Sequence, residues 1–285
     1  MIKQRLRIQK LCFFFLRIAA LLNGVALAVI VYFMVSRGWY AISWEFLTQA
    51  PRDSMTAGGI LPCIIGTMAL CLVTISVALP IGVASAIYLN EYASQGKLVR
   101  IIRLGINNLA GVPSIVFGLF GLAFFCIVLK MGVSIAAGGL TLGIMTLPVI
   151  IGASEEALKA VPNTYREASL AMGATKWQTV RKVVLPVAFP GIITGSILGI
   201  SRAAGETAPI MYTGAVFFTP QLPASIMDEV MALPYHIYVL ATAGTNIEAT
   251  RHLQYGTSLV LIVLIFGMNL AAIILRSKMR KKLRI

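Results

Sequence analysis

Two charged residues, Arg202 and Glu206, lie inside a long apolar block of the sequence, where ionisable side chains are rare. Such groups are costly within a membrane span and usually face a bundle interior or a water-filled cavity. On an ideal helix the two would share one narrow stripe with Gly191, Gly195 and Gly199, and the glycines would allow close helix approach. We predict that Arg202 contacts an anion or forms a gate whose counter-ion is Glu206. A static ion pair that satisfies both charges is the alternative.

Other residue types that could do chemistry give weaker signals. Ser114 follows Pro113 and could line a pathway. The two histidines, His236 and His252, are far in sequence from all four cysteines, so we expect no metal site. The sequence contains no Gly-rich loop that ends in Gly-Lys-Ser/Thr, the pattern that cradles nucleotide phosphates. We therefore expect no catalytic residue and no nucleotide hydrolysis by this chain.

The elements that carry these residues are those of a membrane protein. The chain has 285 residues, of which 58% are hydrophobic and 12% charged, whereas a soluble domain has about 25% charged residues. The apolar residues form six blocks close to the roughly 20 residues that cross a bilayer. We predict an all-α polytopic membrane bundle of about six transmembrane helices, kinked near Pro80 and Pro209. The blocks cover residues 18–36, 60–89, 106–129, 132–153, 187–215 and 257–276.

The basic residues are distributed unevenly along the chain and predict its orientation. If both termini are cytoplasmic, that side holds 19 of the 24 Lys and Arg residues, in the two tails and in the segments 90–105 and 154–186. Cytoplasmic segments of membrane proteins carry this excess. The net charge of +14 therefore indicates how the chain is oriented in the membrane and does not indicate nucleic-acid binding. The first apolar run is too long for a cleaved signal and is interpreted as a retained span.

A polar segment of about thirty residues separates the fourth and fifth blocks. Ser154 with two following carboxylates predicts the start of one helix, and Pro162 predicts its end. A second helix is expected over 164–172, with Gly173 as a left-handed stop. Thr175 and Gln178 have capping-box spacing, which predicts a third helix that ends before Pro186. We interpret the segment as a rigid cytoplasmic elbow that a partner could push; an ordinary loop is the alternative.

The elbow resembles the EAA loop of ABC importer permeases. Glu167-Ala168-Ser169, Gly173, Val183 and Leu185-Pro186 follow the family spacing of Glu-Ala-Ala, Gly, Ile and Leu-Pro. Ser169 and Val183 depart from that pattern, but each keeps the size or branching of the family residue. The resemblance covers the chain from about residue 60 to its end. It implies residues 1–59 as a basic tail, first span and outer loop, and 60–280 as the permease domain with its EAA loop at about 155–186.

Further segments resemble the phosphate-specific branch of this family, and within it the PstA type. They are Leu89-Asn90-Glu91-Tyr92, Gly111-Val112-Pro113-Ser114-Ile115-Val116-Phe117-Gly118 and Arg202-Ala203-Ala204-Gly205-Glu206-Thr207-Ala208-Pro209. The resemblance implies a multi-pass permease subunit of a phosphate importer in a bacterial inner membrane. The sister PstC type, or a permease for another oxyanion, is the alternative.

The resemblance also implies partners and roles. The partners would be a PstC-like second permease, two PstB-like ATP-binding subunits and a PstS-like phosphate-binding protein on the outer face. ATP and magnesium would bind the ATPase, and no cofactor would bind this chain. Glu167 and Gly173 are carried over as coupling residues, and Ala168 as the small contact with the ATPase. A secondary transporter would carry its own coupling-ion site, often in inverted repeats, and we find no such repeat.

Two further expectations concern the ends of the spans. Asn107 and Asn108 should open the third span and either cap it or pair between helices. The outer segment 216–256 should contain a short interfacial helix at about 224–233, and could receive the binding protein.

Overall fold

The computed structural model describes residues 2–94, 96–243 and 247–283; Arg284, one of the basic residues of the C-terminal tail, lies outside them. The described chain is helical apart from loops and one short antiparallel hairpin, Pro51–Arg52 with Ala57–Gly58. The helices are α1 (Ile2–Gly38), α2 (Trp44–Thr48), α3 (Leu61–Ile87), α4 (Lys97–Ala110), α5 (Ser114–Gly121), α6 (Ile135–Lys159), α7 (Asn163–Ala171), α8 (Lys176–Thr179), α9 (Leu185–Gly205), α10 (Ala208–Thr213), α11 (Leu233–Thr242) and α12 (Ile247–Leu283). This confirms the predicted all-α class.

Five helical stretches in the described chain are long and apolar enough to cross a membrane. They are Gln9–Ala41, Leu61–Tyr92, Ile135–Lys159, Lys176–Gly205 and Thr250–Lys278. A sixth candidate is a bent pair, Lys97–Ala110 with Ser114–Val128, whose two helices meet at 102°. Four of the six predicted blocks are confirmed as single helices, and a fifth, 187–215, has its span in residues up to Gly205 and then breaks before α10. The chain is a multi-pass membrane protein.

The prediction that the third block, 106–129, forms a single span is wrong. Residues 106–110 form the last turns of α4, and the chain then breaks at Gly111-Val112-Pro113 before α5 begins at Ser114. Pro113 cannot donate a backbone hydrogen bond, and it disfavours helical geometry in the residue before it. Asn107 and Asn108 consequently lie near the end of a helix, where they open no span.

Helices α3, α6 and α9 form the centre of the bundle. α3 and α6 run parallel, because the positions of Gly138 and Gly139 face Leu70 and Val73 at one end, while Gly82 faces Ile150 nearer the other. α9 runs antiparallel to α6, with Gly191 against Ala157 and Gly199 against Ile150. α1 lies at the rim and packs on α12. The close contacts show why small residues recur in these apolar segments.

The parallel packing fixes the number of crossings. Glu91, just after α3, pairs with Arg166 of α7. Arg103 of α4 bridges the ends of α3 and α6, because it donates to the carbonyl of Leu89 and pairs with Glu155. Both helices therefore end on one side of the membrane, and α6 must begin on the other. The segment 93–134 has to cross once in between, and Ser114–Val128 is its apolar part. The described helices accordingly make six crossings.

The segment that follows α6 differs from the prediction at both ends. Ser154 opens no helix, because α6 continues to Lys159. The third elbow helix does not end before Pro186. It passes through a π-helical segment, Val180–Val184, into α9, whose first turn contains Pro186. Pro186 lies inside this continuous helical run and cannot donate a backbone hydrogen bond. The π-helical turn directly before it is where the hydrogen-bond pattern changes, so the run continues past the proline.

The outer segment also differs from the prediction. Residues 224–232 form turns and extended chain, with a bridge between Ala215 and Val230. The helix is α11, which begins at Leu233, where the predicted one was expected to end. Pro234 lies in its first turn, a favoured position for proline. The segment does contain a short helix, as predicted, but that helix begins about ten residues later than expected.

Candidate functional site

The elbow consists of α7, a tight turn and α8. Gly173 has φ +82, a left-handed conformation that favours glycine. After the turn, the Thr175 hydroxyl accepts from the Gln178 N–H at 3.3 Å, and the Gln178 side chain accepts from the Thr175 N–H at 2.8 Å. This reciprocal pair is the predicted capping box and is confirmed, as is the left-handed stop at Gly173. Local sequence alone therefore specifies the turn.

The outer surface of the elbow is exposed. Glu167, Ala168 and Gly173 all lie on it. Large apolar side chains surround them, and the most exposed, Met172, has 87% of its surface accessible. An apolar surface around one carboxylate is typical of a protein contact. The apolar members of this surface are Tyr165, Leu170, Met172 and Trp177.

An ion pair that the sequence analysis did not identify holds the elbow in place. Arg166 donates to both carboxylate oxygens of Glu91, from Nη2 to Oε1 at 2.7 Å and from Nε to Oε2 at 3.2 Å. Both side chains are largely buried, with 16% and 7% of their surfaces exposed. Two parallel bonds of this kind fix both position and orientation. The pair ties α7 to the end of α3.

The same guanidinium also ties α7 to α6. Its amino groups donate to the carbonyls of Leu158, at 2.8 Å, and Val161, at 2.7 Å. Leu158 lies in the last turn of α6, and its carbonyl also accepts from the Val161 N–H at 3.3 Å. Val161 lies two residues beyond the end of α6. Arg166 thus joins three elements. The only sequence signal was its position beside Glu167, and nothing in the sequence paired it with Glu91.

Two contacts join the halves of the elbow and its base. Ser169 stands where the EAA pattern has a second alanine, and its hydroxyl lies 2.9 Å from that of Thr179 across the turn. Lys176 lies over the ring of Tyr92, with Nζ 5.3 Å from the ring centroid. The departure at Ser169 therefore adds a hydrogen bond within the elbow.

Arg202 and Glu206 form the predicted ion pair, with Nε 3.4 Å from Oε1. The prediction of one helical stripe is wrong at Glu206, because α9 ends at Gly205 and Glu206 is extended, with φ −77 and ψ 131. The ring of Pro209 would clash with the carbonyl of Gly205 if the helix continued. The pair therefore lies at the end of a span and not in the interior of the predicted block 187–215, and 42% of Arg202 and 21% of Glu206 are exposed.

The three glycines of the stripe make the predicted close contact. A Cβ at Gly195 would overlap the Cβ of Ala153, and one at Gly191 would lie 2.7 Å from that of Ala157. Gly199 is less crowded, with Ile150 Cγ1 at 3.2 Å. Arg202 follows one turn later. The contact between α6 and α9 thus ends just before the ion pair.

Ser114 is the first residue of α5 and is half-buried. α5 packs against α10, the helix that follows Glu206, with Gly118 against Ala208. Within the described residues no hydrogen bond or ion pair joins Ser114 to Arg202. The structure brings their elements together without bringing the two side chains into contact.

Comparison with known proteins agrees with this geometry. Residues 78–285 match the family model described as binding-protein-dependent transport system inner membrane component. The chain is 32% identical to the probable ABC transporter permease protein YqgI of Bacillus subtilis (strain 168), over 93% of each chain. It is 38% identical to the phosphate transport system permease protein PstA of Mycobacterium leprae (strain TN), over 86% of this chain and 82% of that protein.

The fold also matches a solved structure. The MetNI methionine ABC transporter, in inward-facing conformations, aligns with a TM-score of 0.59 and 22% identity over 78% of this chain and 94% of that chain. That likeness concerns the fold. Since the family model covers well over half of the residues, this chain belongs to the inner membrane permeases of binding-protein-dependent ABC importers.

Proposed function

We propose that the chain is the PstA-type permease subunit of an ATP-driven phosphate importer. The observation that carries this proposal is its 38% identity, over most of both chains, to a protein named as the phosphate permease PstA. The Arg202–Glu206 pair supplies a cation suited to an anionic cargo. In this proposal Arg202 and Ser114 belong to the pathway or gate, and Glu206 restrains the guanidinium when no phosphate is present.

The elbow would couple the chain to the ATPase. Its exposed surface carries Glu167, Ala168 and Gly173, and the Arg166–Glu91 pair fixes its base to α3. A push on this rigid projection would be transmitted to three elements at once. Closure of an ATPase pair would then switch the pathway between its two openings by rigid-body movement.

The cargo explains the need for ATP. Phosphate carries between one and two negative charges, so an inside-negative potential opposes its entry by roughly 2–5 kcal/mol per 100 mV. An open pore would release phosphate. Alternating access driven by hydrolysis avoids that loss.

The partners follow from the same proposal. They are a PstC-like permease, two PstB-like ATPases that hold ATP and magnesium, and a PstS-like binding protein on the outer face. The chain would lie in a bacterial inner membrane with both termini cytoplasmic, and it would bind no cofactor of its own. The outer segment 216–232, with exposed Phe217 and Ile226, is the surface expected to receive the binding protein.

Reconstitution with these partners tests the proposal. Vesicles that contain the complex should accumulate labelled phosphate only with ATP inside and binding protein outside. A tenfold excess of sulfate or molybdate should leave uptake unchanged. Strong competition by either anion would assign the chain to another oxyanion, and uptake without ATP would overturn the coupling. Uptake by complexes whose only permease is this chain would contradict the PstC-like partner.

A further inference from the structure

An open cavity of about 770 Å³ lies beside the ends of α3, α4 and α6, away from the exposed surface of the elbow. Its polar lining combines four cationic side chains with two amides. No carboxylate belongs to this lining in the described chain. The polar residues are Asn90, Lys97, Arg100, Arg103, Asn107 and Lys159.

Two of the four cations have no partner of their own. Lys159 pairs with Glu155 at 3.5 Å and Glu156 at 2.8 Å, so its charge is already balanced. Lys97 and Arg100 form no ion pair or hydrogen bond with any residue that the structure describes. The cavity therefore has an excess of positive charge that an anion would neutralise.

Arg103 lacks one acceptor. Its Nη2 donates to the carbonyl of Leu89 at 3.0 Å. Its Nε is buried without a hydrogen-bond partner in the described chain, and the nearest carboxylate oxygen, Glu155 Oε1, is 3.7 Å away. A buried donor without an acceptor costs about 1–3 kcal/mol. A ligand oxygen in the cavity would remove that cost.

Helix α4 places these groups at the surface of the membrane. It meets the crossing segment Ser114–Val128 at 102°, so it lies close to the membrane plane. One face of α4 lines the cavity and packs on α6. Its other face exposes Leu98, Ile101 and Ile102. A helix with one apolar face and one cationic face lies in the membrane–water interface, with its apolar face in the acyl layer and its cations among the lipid headgroups.

We propose that this cavity is a binding site for a phosphate group, supplied by an anionic phospholipid headgroup or by free inorganic phosphate. Guanidinium and ammonium groups donate charge-assisted hydrogen bonds to phosphate oxygens, and the two amides can donate to the same oxygens. The first turn of α4 adds a positive helix end with no acidic residue in it. The site adjoins Glu91, the residue that anchors the elbow, so occupancy can stabilise the base of the coupling segment.

The site is independent of transport and is tested by binding. The purified full-length chain is titrated in detergent with phosphatidylglycerol, with phosphatidylcholine and with inorganic phosphate, and bound molecules are counted by native mass spectrometry. The test variant is Lys97→Gln/Arg100→Gln. The matched control is Arg181→Gln/Lys182→Gln, which removes the same charge from exposed positions between α8 and α9.

We expect one saturable molecule of phosphatidylglycerol or phosphate per wild-type chain, and at least tenfold weaker binding to the test variant alone. Saturation in the phosphatidylglycerol arm identifies a lipid, and saturation in the phosphate arm identifies the free anion. Equal binding by wild type, test variant and control would overturn the proposal, as would no binding of either probe. Arg202→Gln should retain this binding, so a failure of the proposed pathway and a failure of this site give different results. Unchanged melting temperatures show that the variants are folded.

Discussion

At the residue scale, Gly173 determines the shape of the elbow. Its φ is +82, and a Cβ built on it meets nothing within 4 Å, so only the backbone conformation opposes substitution. A β-branched residue strains at this φ, whereas asparagine tolerates it. Gly173→Val should therefore lower ATP-driven uptake at least tenfold, and Gly173→Asn should retain most of it. Uptake is measured in vesicles and normalised to assembled complex.

A glycine in α1 supplies the control for this change. Gly24 also has open space around it but no left-handed backbone. Gly24→Val should leave uptake unchanged. Normal uptake in Gly173→Val at normal protein level would show that the elbow does not couple the chain to the ATPase.

Substitutions at Arg202 and Glu206 distinguish two roles for this ion pair, a gate for the anion and a static contact. If Arg202 meets or gates the anion, Arg202→Gln should abolish uptake and leave assembly intact. Arg202→Lys should restore uptake only in part, because an ammonium group lacks the planar fork that suits two phosphate oxygens. Glu206→Gln should also impair transport, since it removes the only ion-pair partner that Arg202 has in the described chain.

The double change to glutamine at both positions is the decisive measurement. A static pair predicts that either single change destabilises the protein and that the double change recovers both folding and uptake. A stable but inactive double variant would place the pair in the phosphate pathway. Near-normal uptake by the double variant would make the pair structural.

His236 gives a prediction about pH. Its side chain is 4% exposed, and burial lowers its pKa to about 4 from an ordinary value of 6.5. Between pH 6.5 and 4 the imidazole of His236 is protonated in the unfolded chain but stays neutral in the folded chain. The free energy of unfolding therefore falls as the pH drops from 6.5 towards 4. The loss should be about 2 kcal/mol between pH 6.5 and 5, seen as a lower melting temperature in detergent.

The two histidines provide a matched comparison. His236→Leu should remove most of this pH dependence, whereas exposed His252, changed to Gln, should leave it as in the wild type. A wild-type melting temperature that is constant from pH 6.5 to 5 would contradict a buried neutral imidazole.

Residue-level patterns predicted the local features of the site but not its long-range contacts. The capping box at Thr175 and the left-handed turn at Gly173 depend on neighbouring residues, so spacing alone identified them. The ion pair of Arg202 with Glu206 was also local. Glu91 and Arg166 are 75 positions apart, and no single sequence pairs such residues without the fold.

At the element scale, the Glu91–Arg166 pair joins α3 to α7. Removing one partner of a buried pair typically costs about 3–5 kcal/mol, because the remaining charge lacks compensation. Glu91→Gln should lower the melting temperature in detergent and reduce binding of the ATPase subunit. Surface pairs contribute about 0–1 kcal/mol, so Glu248→Gln, which breaks the exposed pair with Arg251, is the control. Equal melting temperatures for the two variants would show that the buried pair does not hold the elbow.

Helix type was predictable from composition, and helix ends were not. Apolar blocks of bilayer length identified the spans as helices, because a continuous apolar run of about 20 residues crosses the membrane as a helix, whereas a barrel strand needs only about 9–11 residues. Proline occurs at both Pro113 and Pro186, but the helix is broken before Pro113 and continues through Pro186. The difference lies in the preceding residues: Gly111 and Val112 have left the helix before Pro113, whereas Pro186 follows helical residues that continue into α9.

At the scale of the whole molecule, the crossing count predicts where each segment lies. Six crossings place both termini and the elbow on the side that carries most Lys and Arg residues, and the segment 216–232 on the other. Thr164→Cys in the elbow should resist an impermeant thiol reagent in intact cells, and Gln221→Cys in the outer segment should react. Both positions are exposed, and the background needs Cys12→Ser because Cys12 is exposed as well.

Permeabilised cells supply the control for labelling. Both cysteines should then react, which shows that the elbow position is accessible once the reagent can enter. Reaction of Thr164→Cys but not Gln221→Cys in intact cells would invert the orientation.

The helical stretch from Lys176 to Gly205 is continuous, and Gly195 packs closely on Ala153 of α6. If the stretch rotated as a rigid body about that contact, its two ends would move in opposite directions. At about 1.5 Å per residue, the arm from Lys176 to Gly195 is roughly 28 Å and the arm from Gly195 to Arg202 roughly 10 Å. A displacement of about 6 Å at the elbow would swing Arg202 by about 2 Å in the opposite direction. Glu206 lies beyond the end of the stretch, next to α10, which α5 holds. A displacement of that size is comparable with the 3.4 Å separation of Arg202 and Glu206, so it would change the geometry of their ion pair.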